Sequence, residues 1–138
     1  MTALVYGEDA AVVAYVSGIT GKRFGLYDRA IGVAGRRGLI GGFVFTNWTG
    51  PSIEMSLAGR GVISRSAWAA VADYVFGQCG CSRLAIHTER GNTRVRAIAP
   101  KLGFRFEGVA RRMYGGQDGL TYALTADDMP AFRERWKI

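Results

Sequence analysis

Residues 52–76, "SIEMSLAGRGVISRSAWAAVADYVF", change their hydrophobic period midway. Ile53, Met55 and Leu57 alternate with Glu54 and Ser56, so residues 52–58 read as a strand with one apolar face. Farther on, Trp68, Val71, Ala72, Val75 and Phe76 recur at the spacing of one helix face. Gly59-Arg60-Gly61 stands between the two patterns. A strand that passes through a glycine turn directly into a helix is a building unit of α/β sheets. The turn also faces the helix's first N–H groups, which with the helix dipole can hold a phosphate; Arg60 and Arg65 add charge. The same glycines serve equally to end a strand.

The remaining segments extend this pattern. "EDAAVVAYVSG" has an acidic start, apolar Val12, Val13 and Val16, and a terminal glycine, which predicts a short helix. Residues 30–34 and 39–48 flank "GRRG" as a hairpin, and residues 82–89 and 120–125 read as strands. Asn92 is a good N-cap for a helix whose face carries Val95, Ile98, Ala99 and Leu102, with Pro100 distorting its last turn. In "KLGFRFEG", Gly103 stops that helix, Phe104 and Phe106 begin a strand, and Gly108 suits a bulge. "DDMPAFRERW" closes as a helix with an acidic start and a basic end. The predicted order is α-β-β-β-α-β-α-β-β-α. It indicates an α/β (α+β) chain with a mixed central sheet and helices on both faces.

Length bounds the organisation: 138 residues suit one domain, 1–138, with 49% hydrophobic and 21% charged residues. No run approaches the ~20 apolar residues of a membrane span, and the start lacks a basic, apolar leader, so a cytoplasmic location without membrane attachment is expected. The formal net charge is +7. Arg83, Arg90, Arg94, Arg96, Lys101, Arg105, Arg111 and Arg112 form a basic window opposed only by Glu89 and Glu107. Such a window suits a phosphorylated cofactor or nucleic acid, or is a solvated face. Cys79 and Cys81 have the wrong spacing for a redox pair and, with one histidine in the chain, cannot complete a zinc site. They read as small buried or turn residues, and no metal is expected.

Taken together, these segments resemble the GNAT (Gcn5-related) N-acetyltransferase superfamily. The matching residues are Gly59-Arg60-Gly61, Tyr74-Val75-Phe76, Asn92, Lys101-Leu102-Gly103-Phe104, Glu107-Gly108 and Arg111, spread over residues 59–112. They are most similar to the branch that acetylates ribosomal-protein N-termini. The upstream part, residues 30–58, is similar to short GNAT-like proteins of phages and prophages. The chain departs from the family pattern at the pyrophosphate loop, where Ala58 and Ile63 occupy the outer positions around Gly61. It departs again at Ala99, where many relatives have a tyrosine, and at Val95, where the branch has a serine.

The resemblance implies a GNAT fold of about six to seven strands, with central strands splayed around an acyl-CoA cleft. It implies acetyl-CoA as co-substrate and direct attack of a primary amine, from a protein or small molecule, on the thioester. Glu54 leaves the apolar face of its strand and is the expected proton acceptor, directly or through water. Ser56 and Leu57 would pair with the pantetheine, and Gly59, Arg60, Gly61, Ser64 and Arg65 would hold the pyrophosphate. Asn92 is either a cap or a cofactor contact, His87 a base or a bystander, and Tyr114 a distant candidate acid. Gly61→Val is expected to weaken CoA binding and leave the fold intact. The alternative is a GNAT-fold binding protein for CoA or nucleic acid, with little or no turnover. Weak, sequence-independent attraction to nucleic acid and a homodimer complete the partner expectations.

Overall fold

The computed structural model describes residues 2–138. Seven strands and four helices follow one another as β1 (Ala3–Val5), α1 (Asp9–Thr20), β2 (Arg29–Gly35), β3 (Gly38–Thr46), β4 (Ser52–Gly59), α2 (Arg65–Ala72), β5 (Arg83–Glu89), α3 (Thr93–Leu102), β6 (Arg105–Ala110), β7 (Gly119–Thr125) and α4 (Met129–Trp136). The strands form one sheet in the order β1-β2-β3-β4-β5-β7-β6. Every neighbouring pair is antiparallel except β4 and β5.

Alternation assigns the two faces. Ile31, Val33, Phe43, Phe45, Ile53, Met55, Leu84, Ile86, Leu120, Tyr122 and Leu124 are buried on one face, in a single core with side chains of α2, α3 and α4. Trp68 of α2 is fully buried there, 5.6 Å from Phe43 and 5.8 Å from Phe104 between ring centroids. Burying side chains of this size contributes about 1.5–3 kcal/mol each. On the opposite face α1 packs Val12 and Val16 against Ala30 and Val44. Its close approach depends on the cross-strand pair Gly32–Gly42. A Cβ at Gly42 would lie 2.7 Å from Val12 Cγ1, and one at Gly32 would lie 2.8 Å from Val12 Cγ2. α1 thus covers the β2–β4 half of its face.

Three features depart from the sequence reading. β1 is a strand of three residues added outside β2, where none is expected. β3 ends at Thr46, short of Trp48, because Asn47 turns the chain with φ 52°. Helix α2 changes at Asp73 into a π-helical segment, Asp73–Gln78, in which Cys79 N–H bonds Tyr74 O. This wider winding seats Tyr74 against Phe45, 4.8 Å between ring centroids.

Candidate active site

β4 and β5 pair over only three positions, Ser52↔Arg83, Ile53↔Leu84 and Glu54↔Ala85. Both strands continue, β4 to Gly59 and β5 to Glu89, each held on its other side, by β3 and by β7. Beyond Glu54 the two therefore diverge, and the edge of β4 that faces β5 has no strand partner. Backbone donors and acceptors on such an edge are available to an extended, amide-bearing ligand.

Polar side chains gather at the apex of this split, on the face that carries α1. Glu54 stands on the last paired residue of β4, its side chain 36% exposed. Asn47 Nδ2 donates to Glu54 Oε2 at 2.8 Å, and His87 Nε2 lies 3.2 Å from Oε1. The His87 contact is close but not aligned as a hydrogen bond, so Nε2 is a buried nitrogen without a partner. Its other nitrogen, Nδ1, is 2.9 Å from Thr121 Oγ1. With the proton on Nε2, the ring presents N–H to the carboxylate and accepts from the threonine hydroxyl, the assignment that matches both neighbours.

Two further groups lie near enough to Glu54 and to Glu89, at the end of β5, to feel their charge. Lys22, between α1 and β2, donates from Nζ to Ser56 Oγ at 3.2 Å. Burial lowers its pKa from the ordinary lysine value, while Glu54 and Glu89 act in the opposite sense. Tyr114, in the connection between β6 and β7, has its phenol pKa raised, chiefly by burial and further by Glu89 and Glu54. Tyr114 therefore keeps its proton well past neutral pH.

At the far end of β4 the chain turns through Gly59, Arg60 and Gly61 into α2. Ser64 is the N-cap, its Oγ accepting from Ala67 N–H at 3.2 Å. Trp68 N–H bonds Ser64 O, which leaves the N–H groups of Arg65 and Ser66 without helical partners. Gly61 has φ 76°, and a Cβ there would lie 2.7 Å from Val33 Cγ1. The glycine is thus required by backbone conformation and by packing on β2, before any ligand is considered. Asn92 caps α3, its Oδ1 accepting from Val95 N–H at 3.2 Å.

The residues singled out in the sequence form three groups along β4. Glu54 and His87 belong to the apex, Ser56 and Leu57 to the open edge, and Gly59, Arg60, Gly61, Ser64 and Arg65 to the turn into α2, while Tyr114 lies near enough to feel the charge of Glu54 and Glu89. Asn92 stands apart as the cap of α3. Lys22, Asn47, Glu89 and Thr121 were missed, because each comes from a segment with no motif of its own. Three members of the basic window are held in ion pairs: Arg83 with Glu107 at 2.6 Å, Arg105 with Asp128 at 2.9 Å and Arg90 with Asp118 at 3.5 Å. Cys79 is partly buried and Cys81 buried, and both are free thiols. Among the described residues, no helix is long and apolar enough to cross a membrane, and no His, Cys, Asp or Glu group is arranged to hold a metal. A hollow of about 350 Å³ lies near the start of β4, between Tyr27, Arg29, Trp48 and Tyr74, with Asn47 on its wall.

No family model and no curated protein matches the chain. Solved structures do. A GCN5-related N-acetyltransferase from Brucella melitensis superposes with a TM-score of 0.68 at 22% identity, covering 80% of this chain and 56% of that one. A GNAT-family acetyltransferase from Bacillus anthracis gives 0.59 at 21%, covering 71% and 66%. The chain thus spans less than two thirds of either structure. Spermidine/spermine N-acetyltransferase SpeG from Vibrio cholerae gives 0.74 at 15% identity and covers 94% of this chain and 95% of its own. With these superpositions, the chain's open, mostly antiparallel seven-stranded sheet with helices on both faces is the GNAT fold.

Proposed function

We propose that the chain is an acetyl-CoA-dependent N-acetyltransferase, one domain over residues 1–138, that acetylates a primary amine. The observation that carries this reading is the position of Glu54. Its carboxylate stands where the paired part of β4 and β5 ends, fixed by Asn47 and flanked by His87. Solved structures that share the fold are acetyltransferases, among them one named for spermidine and spermine, which makes polyamines the first acceptors to assay.

Acetyl-CoA supplies the activated acyl carbon when bound. The open edge of β4, centred on Ser56 and Leu57, would hold the pantetheine amides in register. Gly59, Arg60, Gly61 and Ser64 with the Arg65 N–H and guanidinium would take the pyrophosphate. Asn92 spends its Oδ1 on the α3 cap, which leaves its amide nitrogen as a donor to the ligand. A neutral amine attacks the thioester carbonyl, the C–N bond forms and the C–S bond breaks. Glu54 accepts the amine's proton through one water, and Tyr114 is the candidate acid for the departing thiolate, although burial makes its phenol a weaker acid than an ordinary tyrosine. The Glu54 and Glu89 carboxylates would favour a cationic amine at the mouth of the split.

Thiol release from acetyl-CoA in the presence of polyamines and N-terminal peptides tests this reading. Glu54→Gln keeps the size and removes the basicity. It should lower kcat by ~10²–10⁴-fold, flatten the acidic limb of the pH–rate profile and leave acetyl-CoA affinity within a few-fold. Native protein that binds acetyl-CoA without releasing thiol to any amine would favour the alternative, a GNAT-fold binding protein without turnover.

A further inference from the structure

Lys22 places a primary amine inside the split. Its Nζ reaches Ser56 Oγ, the second β4 residue past the last β4–β5 pair and on the Glu54 face. The backbone that delivers it is fixed on both sides. Ser17 Oγ donates to Lys22 O at 2.6 Å, Lys22 N–H donates to Thr20 Oγ1 at 3.2 Å, and Gly21 ends α1 in a left-handed turn at φ 72°. The amine is therefore a positioned group, held on a β4 hydroxyl two residues beyond Glu54 and on the same face of the strand. Burial increases its neutral, nucleophilic fraction relative to a surface lysine.

We propose that Lys22 is an internal acetyl acceptor, its Nζ taking the acetyl group of a thioester held between β4 and β5. The proposal rests on the acyl-thioester site described above. The neutral Nζ forms the new C–N bond as the C–S bond breaks. The thiol departs with one proton, and the second proton of the attacking nitrogen remains on the amide. Glu54, two residues back on the same face of β4, would take that proton through water before it reaches the thiolate. The product replaces a cation facing Glu54 and Glu89 with a neutral amide, which changes the charge met by an incoming amine.

The chain has three lysines, and Lys101 and Lys137 are exposed, so they act as internal controls. The native protein is incubated at neutral pH with acetyl-CoA, and separately with a short N-acetylcysteamine acetyl thioester that lacks the nucleotide. Labelling at each lysine is read by peptide mass spectrometry, and acetyl-CoA binding by calorimetry. Lys22 should be acetylated on the order of tenfold faster than either control, and Lys22→Arg should lose that label without gaining another. Selective labelling by the short thioester with no acetyl-CoA binding would keep Lys22 as acceptor and sink the CoA reading. Acetyl-CoA binding with Lys22 labelled no faster than Lys101 and Lys137 would overturn the Lys22 proposal and leave the CoA reading standing. Neither binding nor selective labelling would overturn both.

Discussion

Gly61 shows how a residue expected to serve a ligand is committed first to the fold. Its φ of 76° is costly for a residue with a side chain, and its missing Cβ makes room for Val33 Cγ1. The expectation that Gly61→Val spares the fold is therefore corrected. Valine there should lower unfolding free energy by about 2 kcal/mol or more in urea denaturation, from the left-handed backbone and the overpacking together. An unchanged midpoint would mean that the turn rebuilds itself freely. Glu54 is a different case. Strict alternation in "SIEMSLA" sends it off the apolar face, and the structure has Ile53 and Met55 in the core with Glu54 opposite. Its partners were beyond sequence reasoning, because Asn47 and His87 come from two separate segments that only the sheet register brings together.

Among the elements, those with long periodic patterns were readable and those fixed by tertiary contact were not. The hairpin of β2 and β3, the β4 strand, α2 and α3 follow their hydrophobic periods. β1 has three residues, too few for alternation to register, and exists because β2 offers it an edge. The π-helical continuation of α2 likewise leaves no periodic mark, since the same apolar residues fit an ordinary helix. At α3 the sequence left Asn92 as a cap or a cofactor contact, and the structure has the cap, Oδ1 to Val95 N–H. Asn92→Ala should lower stability by about 1 kcal/mol through loss of that bond, read by thermal or urea unfolding. No change in stability would show that water replaces the cap at no cost.

For the molecule as a whole, the decisive property is the sheet order, in which the single parallel pair is also the pair that comes apart. Antiparallel neighbours pair with β4 and β5 on their outer sides, so the split is built into the sheet order. Mixed topology was readable from the order of periods along the chain. The point of divergence was not, because nothing in the sequence marks Glu54↔Ala85 as the last pair. The central claim is that this split receives acetyl-CoA along β4. Amide hydrogen exchange with and without acetyl-CoA tests it most directly. Protection should concentrate on residues 55–59 and on the turn into α2, residues 60–66, with little change in β1 and β2. Protection confined to the hollow between Tyr27, Trp48 and Tyr74, or no protection at saturating acetyl-CoA, would contradict the account.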